Sequence, residues 1–313
     1  MTLTELRYIV AVAQKKHFGQ AAQSCFVSQP TLSIAIKKLE DELDIKLFER
    51  SSKNEIRITE IGQKIVQQAQ KVLREAQVIN EISQQGKDPL SGTFKLGAIY
   101  TIAPYLLPGL IPRITESAPG LTLIIQENFT HNLSLSLKQG DLDAIIISYP
   151  FEEPGIETQA LYEEPFMVAV HNQHHWNDRD EIDVTELVGE DLMLLGAGHC
   201  FRDQVLEACP QCTAQSNELT RTLEGSSLET MRHMVAAGTG ITVLPCTSML
   251  HSQHNQQLIK IKPFAQPRPS RVVALAWRKH YPRTEAIQLI IDTISRCHLP
   301  GTLNITPNQP AHA

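Results

Sequence analysis

Leu3, Leu6, Ile9, Val10 and Ala13 recur at helical spacing and predict a helix at the N-terminus. Gly19 opens a short second segment whose Ala21 and Ala22 are small enough to let two helices pack closely. Ser28 can cap a third helix with Gln29 and Pro30 in its first turn, where a missing N–H does no harm. Beyond it Leu32, Ile36, Leu39 and Leu43 form one apolar stripe. At about 100° per residue, Pro30, Ser33, Ile34 and Lys37 point the opposite way. A small, polar or basic outward face suits a helix laid in the major groove. A solvated helix on any small α-domain would show the same pattern.

Residues 59–87 continue as one long helical pattern, with Ile61, Ile65, Ala69, Val72, Ala76, Ile79 and Ile82 along a seam. Such a helix wants a partner, and a second copy of itself is the simplest one. The stretch from Gly86 to Gly92, with Pro89, reads as a hinge. From residue 93 the pattern turns to strand candidates at 94–99, 121–127, 143–148, 166–170, 240–245 and 272–277. Helical stretches at 131–139, 227–237 and 283–297 lie between them. This order predicts an α/β architecture with largely parallel sheets, two of them facing each other across a cleft. The tail, 299–313, reads as flexible.

Composition narrows the class. The chain has 313 residues, 42% hydrophobic and 20% charged, which excludes a largely disordered or collagen-like chain. No apolar run reaches the roughly 18 residues of a membrane span. The amphipathic start with Glu5 does not fit a signal peptide, so a cytoplasmic protein without a membrane partner is expected. The net charge of −6 is uneven: residues 1–90 carry 13 Lys and Arg against 11 Asp and Glu, the rest 15 against 23. A basic end on an acidic body fits neutralisation of phosphates. The six cysteines, Cys25, Cys200, Cys209, Cys212, Cys246 and Cys297, show no paired CxxC spacing of a zinc site. Neither a metal nor a cofactor is expected, and in a reducing compartment the thiols are expected free. Three of them nevertheless cluster within 13 residues.

The N-terminal string resembles the winged helix-turn-helix of LysR-type transcriptional regulators. The residues that carry it are Phe18, Ala21, Ala22, the run Val27 to Ser33, Ile36, Leu39, Glu40, Leu43, Leu47 to Arg50, Thr59 and Gly62. The resemblance implies a helix-turn-helix at about 18–37 within a DNA-binding domain of residues 1–58, and a dimerising linker helix at 59–87. It further implies a two-lobed effector domain at 93–298, with lobes of about 93–163 plus 268–298 and about 164–267. The partners it implies are double-stranded operator DNA, a second copy in a dimer or tetramer, and RNA polymerase. Gln29, Thr31, Ser33 and Lys37 are candidates for base edges, Gln for adenine above all. Ser28 and Pro30, which shape the helix start, are expected among the DNA-binding residues too. Lys37, Lys38, Arg50 and Lys53 suit phosphate, although any of the lysines could equally belong to a solvated face.

The stretch from Gly198 to Cys209 is similar to the redox switch of peroxide-sensing members of that family. So are Tyr100 to Ile102, Pro104 to Pro108, Ser227 to Thr230 and Met234 to Gly238. The resemblance implies a peroxide-reactive Cys200 and a resolving Cys209, with hydrogen peroxide as signal and a thiol reductant for reset. It places a pocket on Thr101, Thr130, His199, Arg202, Asp203 and Arg271. A second histidine of some relatives falls near Thr222, so its role does not transfer. On its own residues, Cys200 could be a buried inert thiol. Its place before a short helical pattern, with Arg202 two residues on, favours thiolate chemistry. Thr101, Thr130 and His199 can hold the peroxide oxygens, and Asp203 would position Arg202 or a threonine hydroxyl. Cys212 reads as a bystander in a turn introduced by Pro210, though it could also pair with Cys209 or resolve Cys200. Cys25, Cys246 and Cys297 read as core or half-buried thiols.

Were residues 200–209 one helix, the two cysteines' Cα atoms would lie about 13–14 Å apart along its axis. A disulfide needs about 4.4–6.8 Å, so closing that bond would require the segment to unwind. The same fold would answer a small metabolite if the cysteine cluster were incidental. A thiol peroxidase, by contrast, would have no use for residues 1–58.

Overall fold

The computed structural model describes residues 1–50, 56–85, 89–215, 227–251 and 257–305. It divides into two compact units, Met1–Lys87 and Asp88–Ala313. Lys53 and Thr222 lie outside the described residues, as does the part of the expected hinge at 86–88.

In the first unit, α1 (Leu3–Lys15) starts at a capping box in which Thr2 and Glu5 satisfy each other's backbone N–H. Helices α2 (Phe18–Ser24) and α3 (Gln29–Leu43) follow, and the side chain of Ser28 caps α3 at the backbone N–H of Thr31. Leu6, Ile9, Val12, Ala21, Ala22, Leu32, Ile36 and Leu39 make the shared core. Strands β1 (Phe48–Arg50) and β2 (Ile56–Ile58) form an antiparallel wing. Buried Glu40 accepts the N–H groups of Leu47 and Phe48 at 2.8 and 3.2 Å, fixing the entry to that wing.

Helix α4 (Glu60–Gln85) corrects part of the expected seam. Val66 and Ala69 are buried, and Ile65 packs with them, in the core of their own unit. Ile61, Val72 and Ile79 are exposed. The helix thus carries two apolar stripes, one for its own domain and one left over.

The second unit is built on one nine-stranded sheet in which seven strands run in the order β4-β3-β5-β10-β6-β8-β7, with β9 and β11 each pairing with β6 beside that path. Its strands are β3 (Gly92–Ile99), β4 (Leu121–Asn128), β5 (Ala144–Tyr149), β6 (Ile156–His171), β7 (Leu192–Met193), β8 (Ile241–Pro245), β9 (Ile259–Pro263), β10 (Ser270–Arg278) and β11 (Leu303–Asn304). Strand β3 pairs in parallel with β4 and β5, and β7 with β8. The expectation of largely parallel sheets is corrected at the centre. Strand β10 runs antiparallel to both β5 and β6, and β6 antiparallel to β8 and β9. The 16-residue β6 serves both halves: Ile156–Pro165 pairs with β10, and the stretch from Phe166 onward with β8 and β9. Two hydrophobic cores result. One gathers Phe94, Leu96, Leu106, Leu110, Leu133, Ile145 and Ile290; the other Phe166, Phe201, Val205, Met231, Val243 and Phe264.

Helices α5 (Ala103–Ser117), α6 (Thr130–Gln139), α7 (Cys200–Ala208), α8 (Leu228–Ala236) and α9 (Thr284–Ser295) pack on this sheet. Gly97 lets α6 sit close, since a Cβ there would come within 2.8 Å of the Leu133 and Leu142 side chains. Helix α5 holds together despite internal Pro108 and Pro112, because Leu106, Leu107, Leu110 and Ile114 are buried. The expected flexible tail is corrected over its first part: β11 pairs Leu303 with Glu163 and Asn304 with Tyr162.

Candidate functional site

Ser28 at the N-cap and Gln29, Pro30, Thr31 and Lys37 on α3 are exposed, and Ser33 is half-buried. Ser28 does structural work there: its hydroxyl accepts the N–H of Thr31 and also meets the Thr31 hydroxyl at 2.7 Å. Gln29, Ser33 and Lys37 are thereby held on a helix whose start is fixed. Arg50 closes β1. Phe26, 97% exposed in the turn before α3, was not legible as a surface residue from its apolar type. Its positive φ of 56° in that turn is what puts it outward.

The second site lies in the larger unit. Ile99, Tyr100, Thr101, Asn128, Phe129, Thr130, Gly198, His199 and Cys200 line a cavity of about 10 Å³, the scale of one water molecule. The ends of β3 and β4 and the starts of α6 and α7 meet here. Cys200 is a free thiol, half-buried, at the first residue of α7. Gly198 holds a φ of +96°, so the backbone asks for glycine there, although a Cβ would meet the Phe129 ring only at an ordinary contact distance of 3.5 Å. His199 is buried, with its ring 4.8 Å from that of Phe129. Burial lowers its pKa from the usual value, so it is a neutral imidazole near pH 7. The hydroxyl of Thr130 is buried with no hydrogen-bond partner among the described residues.

Thr101 is held from beneath. The Arg271 guanidinium donates to its hydroxyl at 2.8 Å and to its carbonyl at 2.9 Å. Arg271 also donates to Glu164 at 2.6 Å, and Glu164 accepts from the Thr247 hydroxyl as well. Both members of this ion pair are buried, and the guanidinium lies 5.0 Å over the Phe201 ring. Arg271 therefore acts on the pocket through Thr101, without lining it. The Thr101 oxygen accepts from Arg271, so its own proton is available to a group in the cavity, and the donation from Arg271 strengthens such a bond.

Arg202 and Asp203 do not line the cavity, which corrects their expected place. Arg202 follows Cys200 by about 200° around the helix and donates to the carbonyl of Leu195 at 3.0 Å. Asp203 is exposed, and no Arg202–Asp203 ion pair exists among the described residues. Tyr100, Asn128, Phe129 and Glu164 are the residues that sequence reasoning missed. Only Tyr100, adjacent to Thr101, carried a signal.

Helix α7 is continuous from Cys200 to Ala208, so Cys200 and Cys209 stand at its opposite ends. Cys209 is instead bonded to Cys212, with Cα atoms 5.6 Å apart. This corrects the reading of Cys212 as a bystander. The three-residue spacing falls in a turn, Pro210–Gln215, where the Cys212 N–H donates to the Cys209 carbonyl at 3.0 Å and brings the two side chains together. Cys25 and Cys297 are half-buried and Cys246 is buried, its pKa pushed up to about 12 chiefly by desolvation.

His174, His175 and Glu190 offer the one grouping with metal-ligand chemistry among the described residues, their atoms within 4.8 Å of one another. Yet the Trp176 N–H donates to His174 Nδ1 at 3.3 Å, which leaves the ring proton on Nε2, directed at Glu190. That tautomer cannot ligate through Nε2, and the cluster reads as a hydrogen-bonded surface group.

Two family models match the chain: "Bacterial regulatory helix-turn-helix protein, lysR family" over residues 3–63 and "LysR substrate binding domain" over residues 87–297. A hydrogen peroxide-inducible genes activator of Pectobacterium carotovorum is 39% identical, the match covering 96% of this chain and 98% of that one. The DNA-binding transcriptional dual regulator OxyR of Escherichia coli K12 is 37% identical, with 96% and 97% covered. Among solved structures, a full-length OxyR variant from Pseudomonas aeruginosa matches with a TM-score of 0.77 and 50% identity, covering 96% of this chain and 99% of that one. A peroxide-bound OxyR variant from Corynebacterium glutamicum matches with a TM-score of 0.63 and 30% identity, covering 95% and 92%.

Proposed function

The chain belongs to the LysR family of bacterial regulators, and from that premise we propose that it is a DNA-binding transcription activator that senses hydrogen peroxide through Cys200 and Cys209. The observation that carries the proposal is the pairing of a free Cys200 thiol with the unpartnered Thr130 hydroxyl in a cavity sized for a small oxygen species. The likeness to peroxide-inducible activators over nearly the whole chain supports it.

The chemistry runs in two steps. The Cys200 sulfur attacks one peroxide oxygen; the O–O bond breaks, the sulfur becomes a sulfenic acid, and the second oxygen leaves as hydroxide and takes a proton. Thr101 and Thr130 donate to the oxygens while charge develops on the leaving one, and neutral His199 adds a donor without a competing charge. The Cys209 thiolate then attacks the Cys200 sulfur. A sulfur–sulfur bond forms, the sulfur–oxygen bond breaks, and hydroxide departs. The second step requires α7 to unwind, because nine helical residues hold the two sulfurs too far apart. Unwinding pulls buried Phe201 and Val205 from their core, and that local refolding is the two-state element that changes the regulator's hold on DNA.

Residues 1–58 bind operator DNA in this reading, with Gln29, Thr31 and Ser33 at base edges and Lys37, Arg50 and Lys53 at phosphates. Helix α4 pairs with its twin through Ile61, Val72 and Ile79 in a dimer that can assemble to a tetramer. RNA polymerase is the downstream partner and a cellular thiol reductant resets the switch, both in the cytoplasm. Among the described residues no helix is long and apolar enough to cross a membrane.

One equivalent of peroxide tests the proposal. The full chain should lose two hydrogens by mass and change its operator footprint, and Cys200→Ser should do neither. Cys209→Ser should stop at the sulfenic acid. A regulator answering a metabolite has one observation in its favour, a cavity of about 890 Å³ lined by Tyr149, Glu163, Phe166, Gln204 and Arg268 among others. No oxidation, but a footprint that responds to a small organic ligand, would select that reading instead.

A further inference from the structure

Three cysteines, not two, share the switch segment, and their placement is unequal. Cys200 opens α7 and is half-buried, whereas Cys209 and Cys212 are buried beyond its far end. Cys209 closes the last turn of α7, its N–H donating to the Val205 carbonyl at 3.0 Å, and the Cys212 N–H donates to the Cys209 carbonyl at 3.0 Å. The Cys209–Cys212 bond is therefore carried by an intact α7 and its continuing turn, with Cα atoms 5.6 Å apart. A Cys200–Cys209 bond cannot be, since it needs the helix undone.

From this asymmetry we propose that Cys212 is a second resolving residue, which takes over the disulfide from Cys200 and returns the sensor thiol while the chain is still oxidised. The inference rests on the peroxide-sensing reading above. In the exchange the Cys212 thiolate attacks the Cys209 sulfur. The Cys209–Cys212 bond forms, the Cys200–Cys209 bond breaks, and its electron pair leaves with the Cys200 sulfur, which takes up a proton from solvent. Cys212 loses its own proton to solvent when the unwound segment exposes it. One thiol and one disulfide stand on each side, so no further oxidant or reductant enters.

The direction follows from the folded geometry. In the Cys200–Cys209 state Phe201 and Val205 cannot keep the packing they have on α7; in the Cys209–Cys212 state they can, as the structure contains both together. Folding of α7 thus drives the exchange forward, and the short spacing gives Cys212 a high effective concentration at the Cys209 sulfur. The consequence is a timed signal. After transfer, α7 is helical, Cys200 is a thiol, and Cys209 is occupied, so a second peroxide yields a sulfenic acid that nothing resolves. The protein is refractory until a dithiol reductant opens the Cys209–Cys212 pair.

A time course on the full chain tests the relay. After one equivalent of peroxide, samples are acid-quenched, alkylated and mapped for linked peptides, in wild type, Cys212→Ser and Cys200→Ser. The relay predicts an early Cys200–Cys209 link in wild type that decays into Cys209–Cys212, with Cys200 regaining its reactivity towards alkylation. In Cys212→Ser the first link should persist several-fold longer, and in Cys200→Ser no Cys209–Cys212 link should form on the same timescale. A first link that is equally long-lived in wild type and Cys212→Ser overturns the relay and leaves the peroxide sensor standing. Formation of Cys209–Cys212 at the wild-type rate in Cys200→Ser overturns it too, by making that pair an independent peroxide target. If Cys212→Ser forms no Cys200–Cys209 link at all, the two-cysteine sensor fails, and the relay with it.

Discussion

Thr130 keeps a buried hydroxyl without a partner among the described residues, an arrangement that costs about 1–3 kcal/mol, in a cavity beside the free Cys200 thiol. An oxygen of bound peroxide would satisfy it. Thr130→Val is accordingly expected to leave the fold at least as stable while slowing oxidation of Cys200 about 10–100-fold, read by stopped-flow kinetics beside a urea melt. His199 gives a pH signature of defined sign. Its pKa is lowered by burial, so as pH falls through about 6.5 the unfolded chain takes a proton that the folded chain refuses. Stability should drop over that interval and level off below the folded-state pKa, and His199→Asn should flatten this part of the profile in urea midpoints. Cys246 supplies the contrast to Cys200. With its pKa pushed up to about 12, it holds about a thousandfold less thiolate than an ordinary cysteine, so brief native alkylation should label Cys200 and spare Cys246.

Helix α7 is the element on which the switch turns. Phe201 is buried against Phe166, ring centroids 4.9 Å apart, and under the Arg271 guanidinium, so its packing opposes unwinding. Trimming it should weaken the reduced state more than the oxidised one. Phe201→Leu is expected to cost about 1.4 kcal/mol of folding stability and, in a Cys212→Ser background where only the Cys200–Cys209 bond can form, to move the switch by about 30 mV towards that disulfide, measured by redox titration. Elements of this kind were legible where the information is local. The helices at α1, α3, α6, α8 and α9 show as apolar periodicity, with side-chain caps at α1, α3 and α8, and the strand candidates as short β-branched runs. What escaped is what depends on distant residues. Strand β10 inserts between β5 and β6 by pairing with residues of each that lie more than a hundred positions upstream, which turned an expected parallel sheet into a mixed one. Helix α5 was hidden by its prolines, whose cost is offset by burial of four aliphatic side chains. The Arg271–Thr101 contact joins residues 170 apart, so a resemblance could assign Arg271 to the pocket but not its indirect role through Thr101. The Cys209–Cys212 spacing was visible, yet only the turn after α7 showed that the two side chains meet.

For the whole molecule, the account needs a second copy and a duplex. Ile61, Val72 and Ile79 are exposed on α4 in the single chain, so Val72→Asp with Ile79→Lys should yield monomers with weak operator binding by sedimentation and gel shift. Ile65 is the wrong probe, because it packs within its own domain. On α3, exposed Lys37 should behave as a phosphate contact, with Lys37→Ala weakening all sequences alike and flattening the salt dependence by about one ion. Gln29→Ala should relax one base preference by about 1–3 kcal/mol. The coupling between chemistry and DNA is most directly tested in the Cys212→Ser protein, where the first disulfide cannot be passed on. Peroxide is added in steps, and each sample is divided between peptide mapping and operator footprinting. The footprint should change in proportion to the Cys200–Cys209 link. A footprint that changes fully while Cys200 remains a free thiol would contradict it.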